Sequence, residues 1–102
     1  SPMSTSTTTT TDYYSTPGEI LSEEFLEPLN ISRYRLAKAI NVSETAIGEI
    51  VNGKRRITTS MAYRLAKALG TTPDFWANLQ SDYDLLTFDP SSLGDIRPLA
   101  TA

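Results

Sequence analysis

The chain contains no cysteine and no histidine. Without cysteine there is neither a disulfide scaffold nor a thiolate metal site, and the composition is compatible with a reducing cytosol. Losing histidine as well removes the usual general base and most zinc ligands together, so an enzyme built on this chain would have to run on carboxylates, hydroxyls and lysine. No apolar run exceeds four residues, against about 20 needed to cross a bilayer. The start carries no apolar stretch of the signal-peptide kind, so a soluble, cytoplasmic location with no membrane partner is expected. Glycine is sparse around the most basic segment: "VNGKRR" has one and no phosphate-loop spacing. Asp82 and Asp84 do not face each other on a helix, so they make a poor acid/base pair. The expectation is therefore no enzyme, no cofactor, no metal and no small-molecule substrate.

What is present suits one small domain. The chain has 102 residues, 39% of them hydrophobic. A domain of this size buries only about 60–65% of its unfolded surface, which favours added stability from a second copy. Residues 1–15, with the hydroxyl run "STSTTTTT", cannot bury enough to offset their ordering entropy and read as a disordered arm, with Ser1-Pro2 ahead of Met3 as an expression remnant. Residues 88–102 hold two prolines and a glycine without helical periodicity and read as an irregular tail. Residues 16–87 are left as the folded unit.

Inside that window the hydrophobic period is helical. "TPGE" offers a cap at Thr16, a proline at the first helical position and Glu19 at the capping-box position. Ile20, Leu21, Phe25 and Leu29 then form an inward stripe that ends near Pro28. Ser32 caps a second helix with Leu36, Ala37 and Ile40, and Ser43 caps a third with Ile47, Ile50 and Val51, stopping at Asn52-Gly53. A fourth helix begins about Thr59, carries Met61, Leu65 and Leu69, and ends at Gly70. Thr72-Pro73 opens a fifth with Trp76, Leu79, Tyr83 and Leu86. No segment alternates with period two, so the fold class is all-α, with five helices.

The second and third helices are joined by about two residues, which forces them to cross steeply. Such a corner needs a small residue facing the next helix, a turn residue that accepts the left-handed region, and an apolar plug. Ala37, Asn41 and Ile47 meet those needs. Charge singles out the same region. The chain has a formal net charge of −3, yet residues 32–67 hold eight of its nine Lys and Arg and only two acids, for a local balance of +6. Arg33 and Arg35 sit in the first turn of the second helix, where cations oppose the macrodipole unless an anion arrives there. The molecule is dipolar, with one face suited to a polyanion.

"SRYRLAKAINVSETAIGEIVNGKRRIT" resembles the helix-turn-helix of the phage-repressor-like (Xre) family. The flanks "PGEILSEEFLEPLNIS" and "YRLAKALGTTPDFWANLQSDYDL" are similar to HigA-type antitoxins of bacterial toxin–antitoxin modules. The resemblance covers about Pro17 to Leu85. It implies a homodimeric autorepressor that binds operator double-stranded DNA, associates with the bacterial nucleoid, and neutralises a HigB-type ribonuclease toxin of RelE-like fold by direct binding. A stand-alone phage-repressor-like regulator without a toxin is the alternative. In the family's docking mode the third helix enters the major groove, which makes Ser43, Glu44, Thr45, Ala46 and Glu49 the candidate base readers. Phosphate contacts are expected from Arg33, Arg35, Asn52, Lys54, Arg55 and Arg56. Phe75, Trp76, Leu79, Tyr83 and Leu86 offer more apolar area than one face of a terminal helix needs, so they are the candidate dimer interface. Glu19, Glu23, Glu24 and Glu27 are the candidate surface for a basic toxin.

Overall fold

The computed structural model describes residues 14–100. Its helices are α1 (Pro17–Ile20), which runs on as a π-helical stretch (Leu21–Leu26), α2 (Arg33–Ile40), α3 (Glu44–Val51), α4 (Thr59–Leu69) and α5 (Pro73–Thr87). A 3-10 turn follows at Pro90–Leu93, and no strand occurs among the described residues. The fold is all-α with five helices, as expected. Most of the arm expected over residues 1–15 lies outside the described residues.

Each helix begins where a hydroxyl satisfies an orphan backbone N–H. Thr16 Oγ1 accepts from the Glu19 N–H at 3.1 Å while Glu19 Oε1 accepts from the Thr16 N–H at 2.9 Å, closing the capping box. Ser32, Ser43, Thr58 and Thr72 cap α2 to α5 in the same manner. Asn41 takes the left-handed region with φ 61° and ψ 49°, and Gly70 closes α4 at φ 74°. Both turns follow from local chemistry that the sequence displays.

The first helix departs from expectation. Its stripe was to run through Leu29, but Leu29 is 54% exposed and Leu26 is buried in its place. The cause is the π-helical stretch, in which the Glu27 N–H bonds back to the Ser22 carbonyl at 2.9 Å. That wider turn puts residues five apart on one face, so Leu21 is followed inward by Leu26.

One core joins all five helices, centred on Leu21, Leu36, Ile47, Ile50, Leu65 and Trp76. Helix α1 packs on α3 and α5, α2 on α3 and α4, and α4 on α5. The approach of α1 to α3 is close: a Cβ placed on Gly18 would sit 1.7 Å from the Ile50 carbonyl oxygen. Beyond α5 the chain is exposed. Asp89 accepts from the Ser91 hydroxyl at 2.7 Å and from its N–H at 3.0 Å, which holds the Asp89 carboxyl below its ordinary range. No helix among the described residues is long and apolar enough to cross a membrane.

Candidate nucleic-acid interface

The α2–α3 corner is assembled by the residues that its spacing named. Ala37 is 2% exposed and Ile47 fully buried, so the small residue and the plug both sit inside the angle. Ser32 Oγ accepts from the Arg35 N–H and Ser43 Oγ from the Ala46 N–H, each at 3.0 Å. Ser43 is thereby used as a cap, and its hydroxyl is engaged within the chain. Arg64 on α4 adds a clamp that the sequence reading missed: its Nη1 donates to the Ile40 carbonyl at 2.6 Å, at the end of α2. The two residues lie 24 apart, and only the packing of α4 on α2 brings them together.

A shallow depression on the outer side of this corner is lined by Arg33, Glu44, Thr45, Gly48, Glu49, Asn52 and Lys54. It unites three candidate readers with three candidate phosphate contacts. Arg33 reaches across from α2 to α3, its Nη1 lying 3.5 Å from where a Cβ on Gly48 would stand. Gly48 keeps this floor low. Ala46 is half-buried and Arg35 exposed, and neither lines the depression.

The basic run after α3 is less free than its composition suggests. Arg55 donates through Nε at 2.8 Å and Nη2 at 2.5 Å to Glu49 Oε1. Arg56 pairs through Nη2 with Asp84 Oδ2 on α5. Glu49 is therefore a counter-ion before it is a reader, and Arg55 and Arg56 already have anionic partners. Lys54, Arg33 and Arg35 make no ion pair among the described residues. The Arg55–Glu49 pair is exposed, with side chains 52% and 40% accessible, so its net worth is about 0–1 kcal/mol and a phosphate competes readily for the guanidinium.

The remaining candidates divide by position. Trp76 is fully buried, with its Nε1 donating to Thr71 Oγ1 at 2.7 Å. It packs against Phe25 and Phe75, ring centroids 5.1 and 4.9 Å away. Its assignment to a dimer surface is corrected: its indole fills the space between α1 and α5, leaving nothing to present. Leu79 and Tyr83 are half-buried, while Phe75 and Leu86 are exposed. Leu85, Phe88, Leu93, Ile96 and Leu99 extend that exposed apolar surface past α5. Of the four glutamates, Glu19 is held in the capping box and Glu27 accepts from Ser22 at 3.4 Å; Glu23 and Glu24 are exposed.

A helix-turn-helix family model matches residues 23–76, spanning α2, α3 and α4. The chain belongs to the helix-turn-helix family. Among its relatives is the HTH-type transcriptional regulator YbaQ of Escherichia coli (strain K12), 47% identical over 70 residues. That match covers 69% of this chain and 62% of YbaQ, so the chain spans less than two thirds of that relative. Antitoxin HigA-1 of Vibrio cholerae serotype O1 is 44% identical over 68 residues, covering 67% of this chain and 64% of HigA-1. The structure of the Pseudomonas aeruginosa antitoxin HigA with the higBA promoter superposes with a TM-score of 0.77 at 40% identity, covering 84% of this chain and 98% of that one. The expected resemblance to HigA-type helix-turn-helix proteins is thus borne out over the fold as well as the motif.

Proposed function

We propose that this helix-turn-helix protein is the antitoxin of a HigBA-type module, a dimer that represses its own operon by binding operator DNA and neutralises a ribonuclease toxin by direct contact. One observation carries the DNA half: Arg33, Asn52 and Lys54 border the same depression as Glu44 and Thr45, so cations and groove-reading groups share one surface. The likeness to a HigA protein solved on its promoter supports it. In this reading α3 enters the major groove, Arg33, Arg35, Asn52 and Lys54 meet phosphates, and Arg55 exchanges Glu49 for a phosphate oxygen. Readout by α3 is modest, because it carries no Arg, Gln or Asn, and the affinity rests on the backbone. The exposed apolar surface of Phe75, Leu86 and their neighbours is the proposed two-fold interface, and Glu23 and Glu24 the proposed toxin contact. The role is binding, with no catalysis.

Footprinting across the gene's own promoter at low ionic strength tests the reading. Protection of two half-sites roughly 34 Å apart is expected, with a salt slope of about −5 to −7 for a dimer. A blank footprint from folded dimer rejects it. Arg33→Ala with Arg55→Ala is expected to weaken binding to all sequences alike and to flatten that slope by about one unit per lost contact, measured by fluorescence anisotropy across a salt series. Unchanged affinity would remove both from the interface. Exchanging Thr45 or Ala46 for larger polar residues is expected to change which operator variant is preferred in a selection from a randomised pool. An unaltered preference assigns readout to DNA shape.

The likeness to YbaQ, an HTH-type transcriptional regulator, supports a second reading as a stand-alone regulator. A pull-down under mild conditions from the native cell separates the two. A small basic ribonuclease that co-purifies supports the antitoxin, and its absence supports the regulator.

A further inference from the structure

Gln80 on α5 is a buried polar side chain in the core, 6% exposed, and both ends of its amide are used. Its Oε1 accepts from the Ile57 N–H at 2.7 Å, and its Nε2 donates to Asp84 Oδ1 at 2.9 Å. The other oxygen of that carboxylate holds Arg56. A continuous chain of polar contacts therefore runs from α5 to the loop between α3 and α4. The start of that loop is tied to α3, where the Lys54 N–H donates to the Glu49 carbonyl at 2.8 Å.

We propose that Gln80 and Asp84 are positioning residues for the loop after α3, and that Arg56 is the anchor of that loop and not one of its phosphate contacts. The proposal rests on the DNA-binding reading for its functional consequence. An exposed ion pair by itself does little to order a chain. Here, however, the carboxylate is oriented by a buried amide, which in turn holds the backbone of a residue that is 4% exposed, Ile57. The arrangement fixes the far end of the segment carrying Lys54 and Arg55 to α5, so these cations are presented from a pre-ordered loop. Ordering before binding lowers the entropy lost on contact with DNA.

Charge and position predict opposite signs for one substitution, which makes the inference testable. Asp84→Asn removes an anion near a DNA-facing loop, so simple electrostatics predicts tighter binding. Loop positioning predicts binding about three- to tenfold weaker, with the salt slope unchanged because no phosphate contact is lost. Arg56→Ala is expected to weaken binding to a similar degree with the slope also unchanged, and the double variant to be no weaker than the worse single one. Tighter or unaltered binding by Asp84→Asn, a slope flattened by about one unit per protomer in Arg56→Ala, or additive losses would overturn the proposal. A second measurement needs no DNA. Amide hydrogen exchange at Ile57, whose N–H is held by Gln80, is expected to quicken about three- to tenfold in both variants, and unchanged protection would overturn the loop role. Wild-type protein that fails to bind its promoter rejects the DNA reading, while the exchange result still decides the loop. Arg56→Ala supplies the same decision should Asp84→Asn not fold.

Discussion

Gly18→Ala is expected to lower the melting temperature by roughly 12–24 °C, at a cost of about 3 kcal/mol. The new methyl group would stand 1.7 Å from the Ile50 carbonyl oxygen, 2.5 Å from its carbon and 2.9 Å from the Val51 Cα. All three are backbone atoms of the last turn of α3, so no side-chain rotation relieves the overlap. Either α1 lifts off α3, uncovering Leu21 and Ile50, or the end of α3 moves with the Asn52–Lys54 segment that follows it. Both responses disturb the proposed DNA-binding surface, so promoter affinity is expected to fall with stability. Circular dichroism melts check the first effect and anisotropy the second. A melting temperature within a few degrees of the parent would mean that α1 does not lie on α3 in this way.

Trp76→Ala is expected to cost about 3–5 kcal/mol, the range for removing a large buried aromatic side chain. The indole is fully buried and bridges Phe25 on the first helix to Phe75 on α5, and its Nε1 has a partner in Thr71. Its loss leaves a cavity between two helices and orphans the Thr71 hydroxyl. The effect belongs to the protomer, so the destabilisation should persist at every protein concentration. Sedimentation and melts over a dilution series distinguish it from an interface residue. A variant that keeps the parental melting behaviour but dissociates on dilution would return Trp76 to the dimer surface.

The two sites illustrate different degrees of legibility. Trp76 stands out in composition, but the spacing of Trp76, Leu79, Tyr83 and Leu86 marks one face without saying which part of it the first helix covers. Gly18 gave no signal: it follows Pro17 in a first turn where many residues are tolerated, and the need for glycine arises from the carbonyl of a residue 32 positions away. From its place on α3 alone, Glu49 is expected to contact a base. Its pairing with Arg55, six residues on, depends on the turn at Asn52 and Gly53 that swings the basic run back along the helix.

By itself the sequence determined the all-α class, the helix starts at Thr16, Ser32, Ser43 and Thr72, the left-handed turn at Asn41, and the basic character of the helix-turn-helix face. All of these follow from interactions spanning about four residues or from a charge count, which the order of residues states directly. The tertiary structure alone decided the π-helical register that buries Leu26, the fit of Gly18 against α3, the capture of Arg55 and Arg56 by Glu49 and Asp84, and the link from Gln80 to Ile57. An exposed guanidinium gains only about 0–1 kcal/mol from any one carboxylate, so its partner is chosen by which helix the folded core brings within reach.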